Sequence, residues 1–269
     1  MAGYQSTDFR IYDETMTTAL ADSRNSEHSP PARFFALIPC AGQGSRAGAP
    51  LAKQYQLIAG QALVLHTLAA FAAVRRLDKT LVVVAPGDSF FEQTTSSPSF
   101  DVADCGGASR AGSVFNGLQA LRLAGALDDD WVLVHDAARC LISPAQIDRL
   151  MDACAGDAVG GLLALKLPDT LKREADGRVA CTVERADKWL AQTPQMFRLG
   201  ALAAALAEAL HGAGDTITDE SSAMEAMGLR PKLVAGSAEN FKVTYAEDFW
   251  LAEAILLGRR DRLNRETTP

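Results

Sequence analysis

The sequence predicts an α/β fold: a Rossmann-like, mostly parallel sheet flanked by helices, with a projecting β-arm. Three observations carry this. Short apolar, β-branched runs alternate with segments of helical periodicity, the pattern of repeated strand–helix units. The runs are apolar without alternation, as expected of strands covered on both faces. The alternation breaks once, over residues 166–192, where a polar stretch with a turn signal stands in place of a helix.

Residues 1–32 are polar and end in Ser29-Pro30-Pro31, which reads as a flexible tail. One domain is expected over 33–260, followed by a flexible C-terminal tail over 261–269. Phe34 to Ile38, ending in Pro39 and glycines, reads as the first buried strand. Gln61 to Val74 carries Val64, Leu65, Leu68 and Phe71 at helical spacing. Thr80 to Val84 is the second strand, Ser109 to Leu123 a helix, and Trp131 to Val134 another buried strand. Ser143-Pro144 is an N-cap with proline at the first helical position. Val159 to Leu165 is a further strand. The polar segment 166–192, with its turn at Asp176-Gly177, is the arm. Helices at about 198–211 and 219–227 and a strand at about 229–235 follow. Thr244-x-x-Glu247 reads as a capping box for a last helix ending at Gly258.

The chain has 269 residues, 48% of them hydrophobic, enough for one large core. Its formal net charge of −7 argues against nucleic acid as the main partner, because phosphate backbones require a basic face. A small anionic substrate needs only local positive charge. No stretch approaches the ~18 apolar residues of a membrane span, so no membrane association is expected. The five cysteines (Cys40, Cys105, Cys140, Cys154, Cys181) form no C-x-x-C pair. They read as reduced thiols and give a cytoplasmic expectation. The four histidines are scattered, against a histidine-based zinc site.

In open parallel sheets ligands bind beyond the carboxyl ends of the strands. There the first strand runs into Pro39-Cys40-Ala41-Gly42-Gln43-Gly44-Ser45-Arg46. Glycines in such a turn let backbone N–H groups approach an anion. A dinucleotide fingerprint would need an acidic residue ~20 positions on, at the end of the second strand. That position is Ala62, within a helical segment, and the second strand ends only at Ala85-Pro86-Gly87-Asp88. A P-loop is excluded because no Gly-Lys-Ser/Thr is present. The rival reading is a phosphate loop with its own cations, Arg46 and Lys53, and beside it stands a plain tight turn with both cations solvated.

Ala41-Gly42-x-Gly44-x-Arg46 followed by Lys53-Gln54-Tyr55 resembles the nucleotide loop of the sugar-nucleotidyltransferases. More narrowly, it is similar to the 2-C-methyl-D-erythritol 4-phosphate cytidylyltransferase family of the non-mevalonate isoprenoid pathway. The resemblance continues through Gly106 to Val114, His135-Asp136-Ala137-Ala138-Arg139, Pro168-Asp169-Thr170, Glu184-Arg185, Gln192 to Gln195, Thr218-Asp219-Glu220 and Asn240 to Thr244, covering about residues 34–257. One departure is Ala52, where the family usually has proline.

The resemblance implies the nucleotide-diphospho-sugar transferase type of sheet and CMP transfer from CTP to a polyol phosphate. The nucleophile is already an ionised phosphate, so the chemistry calls for cations and a divalent metal, Mg²⁺ or another, rather than a catalytic triad. It implies catalytic roles for Arg46, Lys53, Arg185 and Lys242, and metal binding by Asp136. Nucleotide contacts would fall to Ala41, Gly42, Gly44, Gly107, Ala108 and Ser113. Arg139, Thr170, Thr193 and Thr218 would contact the second substrate; Thr218 reads equally as the N-cap of its helix. Lys242 is expected on a short strand before the last helix, and Glu239 as an acidic neighbour of the site. The arm would carry Arg185 into the active site of a second subunit, making a homodimer. Three rivals stay open at this point: a ribitol 5-phosphate cytidylyltransferase, an NAD-dependent oxidoreductase and a non-catalytic nucleotide-binding module.

Overall fold

The computed structural model describes residues 32–42, 52–94, 99–212 and 217–267. The first strand, β1 (Phe34–Pro39), is followed by a 3-10 turn at Lys53–Tyr55, a two-residue hairpin of β2 (Leu57–Ile58) and β3 (Gln61–Ala62), and α1 (Leu63–Ala72). Next come β4 (Lys79–Val83), α2 (Phe90–Thr94), β5 (Asp101–Ala103), α3 (Arg110–Leu123), β6 (Trp131–Val134), α4 (Pro144–Cys154) and β7 (Gly160–Lys166). The arm is the hairpin of β8 (Leu171–Ala175) and β9 (Arg178–Val183). The chain then returns through β10 (Trp189–Arg198) to α5 (Leu199–His211), α6 (Glu220–Ala226), β11 (Lys232–Ala235) and α7 (Ala246–Thr267).

Among the described residues, seven strands form the main sheet in the order β11-β7-β10-β6-β1-β4-β5. β10 runs antiparallel to both its neighbours, and every other pairing is parallel. Strand β1 explains the uninterrupted apolar pattern. Its Ala36 and Ile38 pack with Val64, Leu68 and Phe71 of α1 and Ile147 and Leu150 of α4. Its Phe35 and Leu37 face the other way, onto Val114 and Leu118 of α3 and Leu202 and Leu206 of α5. Both faces of the sheet are therefore dry at β1. Burying Phe35, Leu37 or Ile38 contributes ~1.5–3 kcal/mol each relative to exposure.

The antiparallel β10 is absent from the sequence reading, and its composition explains why. Pro194 demotes the run, since proline cannot donate to a ladder. The proline falls where the pairing with β7 shifts register, between Ala191 and Gln195, so its missing N–H leaves no ladder bond unmade. The reversal matters for function. The start of β10, rather than its end, lies at the carboxyl edge of the other strands. The arm, inserted between β7 and β10, emerges at that same edge. It is an exposed ribbon with its turn at Asp176 and Gly177, both at positive φ.

Three further boundaries differ from expectation. Gln61 and Ala62 belong to the small hairpin and not to α1. Lys242 sits in a loop, not on a strand. Helix α7 passes through Gly258 and runs to Thr267, replacing the tail expected from 261. A helical glycine costs only ~1 kcal/mol, and Arg259 anchors the helix beyond it by donating to the Leu141 carbonyl (2.9 Å) and Glu239 (2.6 Å). The helix is capped by Asp248, which accepts from the backbone N–H groups of Thr244 and Tyr245 at 2.7 and 2.8 Å, rather than by the expected Thr244–Glu247 box.

Gly160 opens β7 at φ +105°, and a Cβ added there would run into the Met196 carbonyl of β10. Gly160→Ala is expected to destabilise the fold by about 2–4 kcal/mol, combining backbone strain and overpacking. Urea unfolding checks this; a loss below ~1 kcal/mol would show that the β7–β10 pairing yields easily.

Candidate active site

Strands β1, β4 and β6 end along one edge, and the loops after them form a cleft of about 600 Å³. That size suits a nucleotide. Its walls are backbone-rich. The loop before α3 crosses the loop after β1 at Gly106, where an added Cβ would meet the Ala41 Cβ and lie 2.8 Å from the Val84 carbonyl oxygen. Only glycine allows that approach. Ser113 Oγ reaches back from α3, accepts the Gly107 N–H (3.0 Å) and donates to the Ser109 carbonyl (2.9 Å). Ser109 caps α3 by accepting the Gly112 N–H at 3.0 Å. Across the cleft, the buried Gln54 amide donates to the carbonyls of Cys40 (2.9 Å) and Gly42 (2.8 Å). Lys53 opens the 3-10 turn and donates to the Val243 carbonyl at 2.6 Å.

At the floor stands Asp136, just past β6 and 8% exposed. Three cations surround it. Arg110 Nε lies 2.9 Å from Oδ1, Lys242 Nζ 3.0 Å from Oδ2, and Arg139 Nε 3.5 Å from Oδ2. Burial pushes the carboxyl upward, but the charges of Arg110, Lys242 and Arg139 outweigh it and hold the group well below the usual carboxylate range. Arg110 also forks onto Glu220 at 2.7 and 3.1 Å, and Glu220 is only 1% exposed. Burial lowers the Arg110 pKa, and its two carboxylate partners more than reverse that. Arg139 Nη1 donates to the Asn240 carbonyl at 2.8 Å. Its Nε has no hydrogen-bond partner among the described residues. Behind Asp136, burial drives the His135 pKa down to about 3, so the ring is neutral.

A second cavity of about 200 Å³ lies beyond this cluster, lined by Arg139, Gln192, Thr193, Gln195, Thr218 and Asp219. Arg110, Asp136 and Lys242 line both spaces. The charged cluster is thus a shared wall between a large cleft and a small polar pocket.

Most of the expected site residues therefore converge. Ala41, Gly42, Lys53, Gly107, Ala108, Ser113, Asp136 and Lys242 line the cleft, and Arg139, Thr193 and Thr218 line the smaller pocket. Gly44 and Arg46 lie outside the described residues, as do residues 1–31. Thr170 and Arg185 are exposed at the arm and line neither space; Arg185 donates to the Pro168 carbonyl. Thr218 is not the cap of its helix: Asp219 takes that place, accepting the Ser222 N–H at 2.9 Å. Glu239 pairs with Arg259 instead of joining the cluster. Sequence reasoning missed Arg110, Glu220 and Gln54 as site residues, although all three fall inside the quoted motifs. Their partners are distant in sequence, so spacing gave no sign that they meet.

Whether the cluster suits a divalent metal can be judged from its donors. Among the described residues no three His, Cys, Asp or Glu side chains converge. Asp136 offers one hard, ionised carboxylate at the wall, which fits Mg²⁺ held by a single carboxylate together with substrate phosphates and water.

Residues 34–258 match the family model described as IspD: 2-C-methyl-D-erythritol 4-phosphate cytidylyltransferase. Over 228 residues the chain is 70% identical to a bifunctional enzyme IspD/IspF of Albidiferax ferrireducens, a match covering 84% of this chain and 54% of that protein. The chain thus spans about half the length of that relative. It is 55% identical over 228 residues to a 2-C-methyl-D-erythritol 4-phosphate cytidylyltransferase of Chromobacterium violaceum, covering 84% of this chain and 99% of that one. A crystal structure of 4-diphosphocytidyl-2C-methyl-D-erythritol synthase superposes with a TM-score of 0.74 at 39% identity, over 84% of this chain and 99% of that one. The Francisella tularensis cytidylyltransferase does so with a TM-score of 0.71 at 32% identity, over 82% and 98%. With the motifs, the fold and the match over residues 34–258 in agreement, the chain belongs to the 2-C-methyl-D-erythritol 4-phosphate cytidylyltransferase family.

Proposed function

We propose that the protein transfers CMP from CTP to 2-C-methyl-D-erythritol 4-phosphate, giving 4-diphosphocytidyl-2-C-methyl-D-erythritol and pyrophosphate. The observation that carries this is the wall of Arg110, Asp136 and Lys242 between two spaces of unequal size. A nucleoside triphosphate fits the large one and a polyol phosphate the small one, so their phosphates meet at the cluster. A phosphate oxygen of the polyol phosphate attacks the α-phosphorus, a new P–O bond forms, and the bond to the β-phosphate oxygen breaks with departure of pyrophosphate. No general base is needed, because the attacking oxygen carries no proton near neutral pH.

The chain's task is electrostatic. Lys53 and Lys242 offset the charge of the triphosphate, and Arg110 stays clamped to Glu220 at the shared wall. Arg46 joins them by the family motif. Arg139 and Thr218 face the polyol phosphate. Ala41, Gly42, Gly107 and Ala108 contact the base and ribose, where small side chains leave room for a pyrimidine. Asp136 is the residue that would hold Mg²⁺, which when bound would neutralise phosphate charge. The dinucleotide reading is not supported: Asp88, the carboxylate nearest the end of β4, accepts from Tyr55 Oη (2.7 Å) and the Phe90 N–H (2.9 Å), so both its oxygens are engaged within the chain.

The arm extends the proposal to a homodimer. Thr170 and Arg185 match family positions but lie outside both spaces of their own chain, and a lone two-stranded ribbon is marginally stable. Pairing about a two-fold axis would place each arm at the partner's site.

Pyrophosphate release from CTP and Mg²⁺, assayed in parallel with methylerythritol 4-phosphate and ribitol 5-phosphate, tests the activity. Release with the first alone is expected; release only with ribitol 5-phosphate would move the substrate assignment, and release with neither would remove the catalytic reading. Chelation by EDTA should abolish turnover and added Mg²⁺ restore it. Lys242→Ala and Lys53→Ala are each expected to lower kcat/KM by ~10²–10³. Glu220→Ala would strand the Arg110 guanidinium and should cost about 3–5 kcal/mol in urea unfolding, as for other broken buried pairs. An unchanged midpoint would show that Asp136 alone suffices to hold Arg110.

A further inference from the structure

Lys242 reaches the shared wall from a loop, residues 236–243, that contains no helix or strand. A flexible lysine stem holds its ammonium in place only if the backbone beneath it is held. Past β11 the ladder with β7 makes one more bond, from the Gly236 N–H to the Ala164 carbonyl (2.8 Å). Beyond that point a side chain does the work of a strand. Gln192 stands on β10, and β7 lies between β10 and β11. Strands two places apart in a sheet are separated by about 9–10 Å. The buried Gln192 side chain spans that gap: Nε2 donates to the Ser237 carbonyl at 2.8 Å, and Oε1 accepts the Ser237 N–H at 3.3 Å. One backbone group only accepts and the other only donates, so the orientation of the amide is fixed. Asn240, 0% exposed, adds a second rung, with Nδ2 donating to the Thr193 carbonyl (2.8 Å) and to Gln192 Oε1 (3.4 Å). Its Oδ1 is buried with no hydrogen-bond partner among the described residues, so Nδ2 alone orients it. Gly236 leaves room for the pair. The first atom an added Cβ would run into there is Gln192 Oε1, and Gly236 is not at positive φ.

We infer that Gln192 and Asn240 form a side-chain latch that positions Lys242, with Gly236 as the gap that admits it. Both are positioning residues: they act through the loop, and Lys242 Nζ, 3.0 Å from Asp136 Oδ2, is the group at the wall. The same loop is also fastened to the turn after β6, by Arg139 Nη1 on the Asn240 carbonyl (2.8 Å) and by the Val243 N–H on the Ala138 carbonyl (2.9 Å). Those bonds tie it to the turn that carries Asp136. The latch ties it to β10, and so to the sheet, at the place where β10 breaks register with β7. Lys242 is thereby referred to two rigid elements instead of one. The inference rests on the proposed reading of the wall as the reaction centre.

Gly236→Ala is the sharpest probe, because the added methyl displaces the mobile end of a side chain and meets no backbone strain. Hydrogen exchange of the full chain, read by mass spectrometry, should speed up over residues 236–243 in Gly236→Ala and in Gln192→Met, and stay unchanged in peptides from β1 and β6. Each variant should lose roughly 10–100-fold in kcat/KM, the scale of a group displaced by about 1 Å. Asn240→Ala should behave likewise. The Gly236→Ala, Gln192→Met double variant should lose no more than either single one, because both open the same latch. In a Lys242→Ala background, Gln192→Met should cost nothing further, since the group it positions is gone. A loss that persists in full in that background would make Gln192 a substrate contact and overturn the inference. Unchanged exchange over 236–243 would overturn it too, by showing that the loop is held without the latch. Should Gln192→Met fail to fold, Gly236→Ala with and without Lys242→Ala makes the same comparison. If the unsubstituted protein shows no turnover, the proposed activity falls, and exchange alone then judges the latch.

Discussion

The buried carboxylate of Asp136 is the constraint around which the rest of this site is arranged. An ionised group taken out of water is costly unless its lone pairs are matched. Here Arg110 and Lys242 match them, one on each oxygen. The two cations are not equivalent. Arg110 is also forked onto the buried Glu220, so it cannot leave Asp136 without stranding a second charge. Lys242 has a side chain 41% exposed and one acidic partner. A phosphate arriving at the wall therefore competes for Lys242 and finds Arg110 already fixed. Three cations against two carboxylates leave a local surplus of positive charge in a chain whose net charge is −7. That surplus is what a site for two polyanions requires.

The reversed strand β10 makes this arrangement possible. In a fully parallel sheet every strand would deliver its carboxyl end to the site and take its amino end away. By running backwards, β10 brings its beginning to the same edge, with Gln192 and Thr193 entering beside Asp136. Gln192 then donates to the Ser237 carbonyl at 2.8 Å, binding the loop that leads to Lys242. The reversal also makes the arm a detour at the active edge instead of an excursion from the far end of the molecule.

The sequence disclosed the strand–helix alternation because periodicity is local: each of Phe34–Ile38, Thr80–Val84 and Trp131–Val134 announces itself without reference to anything else. It disclosed the cleft for a related reason, since glycines and cations after the first strand have few other uses. It hid β10, because Pro194 argues against a strand unless a register shift is already known to sit there. It placed the end of the last helix at Gly258 because a glycine near a helix end reads as a stop, and the Arg259 contacts that override it come from residues 141 and 239. Arg110 and Glu220 stood in quoted motifs, yet their pairing spans 110 positions and leaves no periodic trace.

Residues without chemistry of their own are as binding on the cleft as those with charge. A pocket for a triphosphate must present donors, and a glycine-rich loop exposes carbonyls as readily as N–H groups. Gln54 answers this by spending its amide N–H groups on the carbonyls of Cys40 and Gly42, which occupies two acceptors at the edge of the cleft. Gly106 answers the matching steric demand by letting the loop before α3 close on Ala41. These two contacts hold the start of the loop after β1 against Gln54 on one side and against the loop before α3 on the other.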